Sequence, residues 1–190
     1  MAYEAQMTPA DKAAAEREEG SGGEPKVPQI VLVLIGLPYI VGPPFIDALL
    51  LHGGISALNA AYRKPPVSSE QLLDPSRYFL GDAPVHVATP HSDGVTVSHS
   101  DLGQIGLLLT LEHGLDRTTA QEAASGWGGD QYVTWRAGAR RWCTRDTVVM
   151  DDAAATARLD SALRQWAAAS QGRGHVEATG GHTTFVSCST

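Results

Sequence analysis

The sequence is poor in charged and aromatic residues and has only two cysteines. Charged residues make up 18% of the 190 residues and aromatic residues 6%, and 14 Lys and Arg stand against 21 Asp and Glu. With a net charge of -7 and no run of basic residues, the chain lacks the electrostatic features of a nucleic-acid-binding protein. Its 43% of hydrophobic residues can still build a buried core.

Complete catalytic motifs are also missing from the sequence. None of the seven histidines falls in an HExxH spacing, and there is no Gly-x-Ser-x-Gly motif. The glycines of Gly126-Trp127-Gly128-Gly129-Asp130 are not followed by Lys-Ser or Lys-Thr, so they do not form a phosphate loop. They predict instead a tight passage from a helix into a strand. We therefore expect no catalytic site within this chain alone.

Three histidines lie close together in the sequence. His86, His91 and His99 accompany Asp93 and Asp101, and imidazole and carboxylate groups are the ligands that zinc and related metals use. A polar surface loop explains the same residues without a metal, and we favour that interpretation. The chain is accordingly expected to bind no cofactor of its own.

The two cysteines, Cys143 and Cys188, are either separate buried thiols or a disulfide. We favour the disulfide, because a strand so near the end of the chain needs to be held in place. A disulfide predicts an oxidising, extracytoplasmic location. Residues 1–7 have neither a basic region nor an apolar region, so an export signal is expected upstream of Met1.

Residues 27–51 are the most apolar part of the sequence. Val27 to Ile46 carries no charge, and this is the length of a membrane span. The alternative, which we favour, is a pair of buried helices, with Pro43-Pro44 ending the first and starting a second that runs to Leu51. The segment Gly53-Gly54 would end that helix, and a third would cover residues 55–62.

Periodicity over the remaining residues predicts an α+β fold: N-terminal helices, then a small antiparallel sheet with one helix packed on it. The predicted organisation is a helix and flexible linker over 1–24, a mainly helical subdomain over 25–125, and a β-rich subdomain over 126–190. The predicted strands cover residues 85–89, 131–135, 141–150, 175–179 and 183–188, and a long helix covers 153–170.

Three blocks of sequence resemble a family of exported bacterial, mainly actinobacterial, proteins similar to gluzincin-type zinc metallopeptidases. The blocks are residues 37–54, beginning Leu-Pro-Tyr-Ile-Val-Gly; residues 65–75, Pro-Pro-Val-Ser-Ser-Glu-Gln-Leu-Leu-Asp-Pro; and residues 126–132, Gly-Trp-Gly-Gly-Asp-Gln-Tyr. The resemblance covers residues 1–150 in patches.

The resemblance implies that a parent protein binds zinc through an HExxH helix and a later Glu, all upstream of this chain. No residue here matches those ligands or the base. Tyr39 is the one position to which a substrate-side or oxyanion-donor role could be carried over, although a buried structural tyrosine is the favoured interpretation. The chain is thus expected to be a non-catalytic portion of a cell-envelope protein, or else an extracytoplasmic module that binds a protein partner.

Overall fold

The chain has an α+β fold, as predicted. A computed structural model describes residues 8–14, 27–179 and 181–189. The chain splits into two compact units, Met1–Ile40 and Val41–Thr190. The second unit contains both the short helices and the whole sheet.

In the first unit, residues 9–14 are helical. Thr8 caps this helix: its Oγ1 accepts from the Asp11 amide at 3.2 Å, and the Asp11 carboxylate accepts in return from the Thr8 amide at 2.9 Å. The predicted linker lies outside the described residues, apart from Val27 and Pro28, which have no regular structure.

The longest helix, α1 (Gln29–Arg63), corrects the prediction of two buried helices separated at Pro43-Pro44. The helix continues through both prolines and is interrupted instead at Gly53 and Gly54, where Gly54 has a φ of 60°. Proline has a φ that suits a helix, although it removes one hydrogen bond and its ring crowds the carbonyl one turn earlier, whereas a left-handed φ cannot continue a helix. The segment after the glycines forms the predicted third helix, up to Arg63.

Two short helices follow, α2 (Ser69–Leu73) and α3 (Pro75–Leu80). Ser68 caps the first by accepting from the Gln71 amide, and Asp74 caps the second with Pro75 at its first position. Together with α1 they enclose a small core of Phe45, Leu49 and Ala61. The ring of Tyr78 meets Phe45 edge to face at 5.3 Å and donates its hydroxyl to the Lys64 carbonyl.

The predicted strand over residues 85–89 is wrong. This segment forms no strand. One backbone hydrogen bond joins it to the sheet, from the Val85 amide to the Gly128 carbonyl. The edge strand is β1 (Val95–Ser100), and all six of its residues are exposed. The apolar alternation of β1 is limited to Val95 and Val97, a run too short to identify a strand in the sequence.

The sheet has five antiparallel strands in the order β1-β2-β3-β5-β4. The other strands are β2 (Trp127–Arg136), β3 (Trp142–Met150), β4 (Gly174–Thr179) and β5 (His182–Cys188). β2 begins at Trp127, earlier than the predicted residue 131, because the glycine run itself pairs with the end of β3. The predicted closing hairpin of β4 and β5 is confirmed.

Three helices cover one face of the sheet, where the sequence predicted one. They are α4 (Gly103–Glu112), α5 (Arg117–Ala124) and α6 (Ala153–Ala169). Their apolar sides meet the sheet in a core that includes Leu107, Leu111, Trp127, Leu159 and Leu163, all nearly inaccessible to solvent. Burial of side chains of this size contributes about 1.5–3 kcal/mol each, so this core is the main source of stability in the second unit.

The opposite face contains the disulfide. Cys143 and Cys188 are register partners on β3 and β5 and are joined, which confirms the predicted bond. Val133, Trp135 and Val186 pack around the bridge. The bond indicates an oxidising environment, since thiols stay reduced in most cytosolic proteins.

We expect replacement of both cysteines, Cys143→Ala with Cys188→Ala, to lower the free energy of unfolding by about 3–4 kcal/mol, because the unfolded chain regains the entropy of a long loop. Urea denaturation followed by tryptophan fluorescence measures it. Reductant should destabilise the native chain and leave the double variant unchanged. Equal stability of the native chain and the double variant in the absence of reductant would contradict the expectation.

Candidate functional site

The Gly126–Asp130 motif holds the start of α4 against the sheet. The Asp130 carboxylate accepts from the amides of Leu102 at 2.6 Å and Gly103 at 2.8 Å, and from the Trp127 indole at 2.9 Å. Burial raises the pKa of Asp130, while these three hydrogen bonds oppose the shift by stabilising the charged form. The motif therefore has an architectural role.

The glycines of this motif permit close backbone approaches, in keeping with the predicted tight passage. Gly126 has a φ of 81°, a left-handed conformation that favours glycine. At Gly129, an added Cβ would lie 2.5 Å from the Val85 carbonyl oxygen. The lack of a side chain at this position thus allows the extended segment from Val85 to lie against β2.

Asp146 is a fully buried carboxyl group that the sequence did not single out. It lies on β3 opposite Tyr132 and Phe185, with no exposed surface. Burial raises its pKa well above the usual range, and the nearby charge of Asp130 adds to the shift. The protein therefore favours the neutral form of this group. Only the fold reveals this property, because an aspartate in a strand has an ordinary sequence signature.

Arg77 joins the short helices to the loop that precedes α6. Its guanidinium contacts Asp82 at 2.6 Å and Asp151 at 2.7 Å, and it lies 3.8 Å from Glu70. The Glu70 side chain is only 8% exposed, and burial raises its pKa to about 7 despite the opposing effect of Arg77. Glu70 and Arg77 both come from the second block of the resemblance or its immediate continuation.

The three histidines proposed as metal ligands have separate surroundings. His91 pairs with Asp93 at 3.3 Å, His86 lines a shallow cleft with Asp101, and His99 is exposed on β1. Over residues 8–14, 27–179 and 181–189, no group of three or more His, Cys, Asp or Glu could hold a metal ion. These residues therefore do not fit a zinc site.

The aspartate beside His91 has a different partner. Asp93 accepts from Arg145 at 2.8 Å, and the same guanidinium donates to the His91 carbonyl at 2.6 Å. Arg145 is buried over the Trp135 ring, 5.2 Å from its centroid. These contacts hold the 91–93 loop against the face of the sheet that contains the disulfide.

Tyr39 is 82% exposed, so its interpretation as a buried structural residue is wrong. It belongs to a run of large apolar side chains on α1 that the described residues leave uncovered. Between residues 30 and 46 these are Ile30, Val31, Leu32, Leu34, Ile35, Tyr39, Ile40 and Ile46. We call them the apolar helix surface. By length and composition alone, the helical segment Ile30–Arg63 is long and apolar enough to cross a membrane, and this is the single such helix in the described part of the chain.

The second unit also contains an open cleft of about 470 Å³ next to the glycine break. Ala57, Ala60 and Val67 form an apolar floor, and the His52 ring stacks on Phe79 at 4.0 Å. Gln71 also faces the cleft, but its side chain is already engaged by the Asp82 carbonyl and the Val67 amide. The cleft offers an apolar surface with few polar groups to orient a small ligand.

Comparison with known proteins gave no match: no family model, curated protein or solved structure is similar to this chain. The site must therefore be interpreted from its own geometry. The feature with the clearest implication is the apolar helix surface.

We expect protein stability to fall as the pH rises from about 4.5 to about 7, partly through Glu70. Folding favours the neutral form of a carboxyl whose folded pKa is raised. Its stabilising effect is complete below the unfolded pKa and is lost as the pH passes the folded one. Glu70→Gln should remove about 1–3 kcal/mol of this dependence, measured by urea denaturation at pH 4.5 and pH 7.5. Parallel pH profiles for the native chain and the variant would refute this, and the exposed Glu122→Gln serves as control.

Gly129→Ala should destabilise the second unit by about 1–3 kcal/mol, since its Cβ would overlap the Val85 carbonyl unless β2 or the 85–87 segment moves. Thermal unfolding measures the loss. Gly138→Ala is the matched control, because its Cβ would meet Arg141 at an ordinary 3.7 Å. Similar melting temperatures for the two variants would show that the close approach at Gly129 is unimportant.

Proposed function

We propose that this chain is a non-catalytic portion of a zinc-metallopeptidase-like protein of the cell envelope, and that it functions through contact with the metal-binding portion. The observation that carries the proposal is the apolar helix surface. A helix with apolar residues on all sides belongs in a protein core or in a membrane, and most of the large apolar side chains of α1 from Ile30 to Ile40 are exposed.

The three sequence blocks support the same proposal. The first block includes residues 37–46 of the exposed stretch of α1, the second supplies Glu70 to the Arg77 cluster, and the third supplies the Asp130 anchor. Two of the three thus have defined architectural roles in the second unit. A chain that is a supporting portion of a larger enzyme would be expected to keep such residues.

The proposed location follows from the disulfide. The Cys143–Cys188 bond is consistent with a secreted or envelope-associated protein, because small export-compartment domains use such bonds to stabilise terminal strands. Zinc, in this proposal, is held by residues of the parent and not by those described here.

A second candidate function rests on the same surface. In it, the chain is an extracytoplasmic binding or assembly module whose partner is a separate protein of a membrane complex. The two functions differ in where the covering partner is encoded. The first requires it in the same reading frame, and the second in a different gene.

The reading frame that precedes the codon for Met1 tests the first proposal. An in-frame HExxH motif behind an export signal is the expected result. A stop codon directly before Met1, with no such motif in frame, would contradict it and favour the assembly module.

Activity of the purified chain provides an independent test. We expect no hydrolysis of casein by this chain with one equivalent of zinc, and no stoichiometric zinc retention in equilibrium dialysis. Hydrolysis that requires the bound zinc would refute the proposal. A chain with Cys143→Ala and Cys188→Ala controls for metal captured by reduced thiols.

A further inference from the structure

We infer that the Arg77 cluster is a pH-sensitive attachment between the two short helices and the loop that precedes α6, and that loss of the Glu70 proton weakens it. The cluster consists of Arg77 and the four carboxyl groups around it, which are those of Glu70, Asp74, Asp82 and Asp151. All five residues belong to the second unit, and the inference does not depend on the proposed function.

The contact between Arg77 and Asp151 is the long-range link of the cluster. Nη2 of Arg77 donates to the Asp151 carboxylate at 2.7 Å across 74 positions of sequence. The two side chains are 28% and 29% exposed, so water screens their attraction less than it screens that of a fully exposed pair. The Asp151 amide in turn donates to the Gly126 carbonyl at 2.8 Å. The contact therefore joins the short helices to the start of β2.

Glu70 faces the same nitrogen without bonding to it. Its Oε1 lies 3.8 Å from Nη2 of Arg77, which is beyond hydrogen-bond distance, and its carboxyl group makes no hydrogen bond with any residue that the structure describes. The side chain is nearly buried. A buried carboxyl group without a donor has little to stabilise its charged form, so this geometry suits a neutral Glu70.

Ionisation of Glu70 would add a fourth carboxylate to a cluster with one cation. Arg77 attracts the new charge, while Asp151, Asp82 and Asp74 repel it. Electrostatic coupling between two sites is mutual, so the charge on Glu70 must disfavour the bound position of Asp151 as much as Asp151 disfavours that charge. The attachment through Asp151 is the contact that this repulsion weakens.

The other helix that packs against α2 does not compensate this charge. The one charged residue of α4 is Glu112, which lies at the far end of that helix and pairs with Arg117 at 3.1 Å. Asp130 lies at the start of α4, where its carboxylate oxygens accept from the amides of that helix. The balance of charge around Glu70 is therefore set within the Arg77 cluster.

The change falls near neutral pH. Burial raises the pKa of Glu70 to about 7, against the opposing effect of Arg77 and with a smaller contribution from Asp151. Below this pH Glu70 is neutral and the attachment is intact, and above it Glu70 is ionised and the attachment weakens. Helix α3 also supplies Tyr78 and Phe79 to the open cleft of about 470 Å³. A weaker attachment thus loosens one wall of that cleft.

Asp151→Asn tests the inference, because it removes one negative charge and keeps the shape of the side chain. We expect it to lower the folding equilibrium constant about three- to fivefold at about pH 5.5. At about pH 8.5 the factor should be about two to three times smaller, since the variant then also escapes the repulsion from ionised Glu70. Urea denaturation at the two pH values measures both factors.

Two controls separate this effect from a general one. In a chain with Glu70→Gln, Asp151→Asn should have the same effect at both pH values. Glu112→Gln removes an ion pair outside the cluster and should likewise have one effect at both. By linkage, the midpoint at which the carboxyl carbon of Glu70 titrates in NMR should fall by about 0.3–0.5 pH units in Asp151→Asn.

The native chain provides a measurement that needs no change at residue 151. Exchange of the Asp151 amide hydrogen, corrected for its intrinsic pH dependence, should be about two to three times less protected at the higher pH, and Glu70→Gln should abolish the difference. Equal protection at the two pH values would overturn the inference. An effect of Asp151→Asn that is equal at both or greater at the higher pH would do the same, as would a Glu70 carboxyl already ionised at the lower one.

Discussion

The larger unit depends on the contact between the Asp130 carboxylate and the first amides of α4. Hydrogen bonds to a charged group contribute about 1.5–3 kcal/mol each, and the positive end of the helix dipole adds to the attraction. Because the same carboxylate also accepts from the Trp127 indole, one group fixes the start of β2, the start of α4 and one of the two tryptophans of the core. The placement of Leu107 and Leu111 follows from it.

The two faces of the sheet are stabilised by different physical means. Three helices exclude water from one face, where apolar contacts dominate. The other face has no helical cover among the described elements, and it relies on the disulfide and on Arg145, which stacks over Trp135 and binds the 91–93 loop. The adjacent residues Arg145 and Asp146 point to opposite faces because side chains alternate along a strand. Arg145 is held by ion pairs, whereas Asp146 is buried where desolvation favours its neutral form.

Much of the fold could be predicted from local patterns. Periodic or capping signals that involve only neighbouring residues are present in four elements: the helix Ala153–Ala169, strand β3, the β4–β5 hairpin and the Ser68 cap. The errors occurred where a distant contact decides. Residues 85–89 alternate like a strand, but they form no strand and approach β2 closely where Gly129 has no side chain. β1 has only a short apolar alternation and forms because it pairs with the edge of β2. The candidate site was the hardest part, since the exposure of Tyr39 and the burial of Asp146 are properties of packing alone.

The sequence by itself determined the α+β class and the uncharged character of residues 27–46, because composition and short-range periodicity are sufficient to specify them. It favoured the disulfide, but the register of β3 with β5 decided it. Only the tertiary structure decided that α1 passes through Pro43-Pro44, that the histidines near residue 90 serve different neighbours, and that the apolar helix surface is left uncovered. The physical reason is the same in each case. Whether an apolar side chain is buried depends on what other segments reach it, and that information is distributed over residues far apart in the chain.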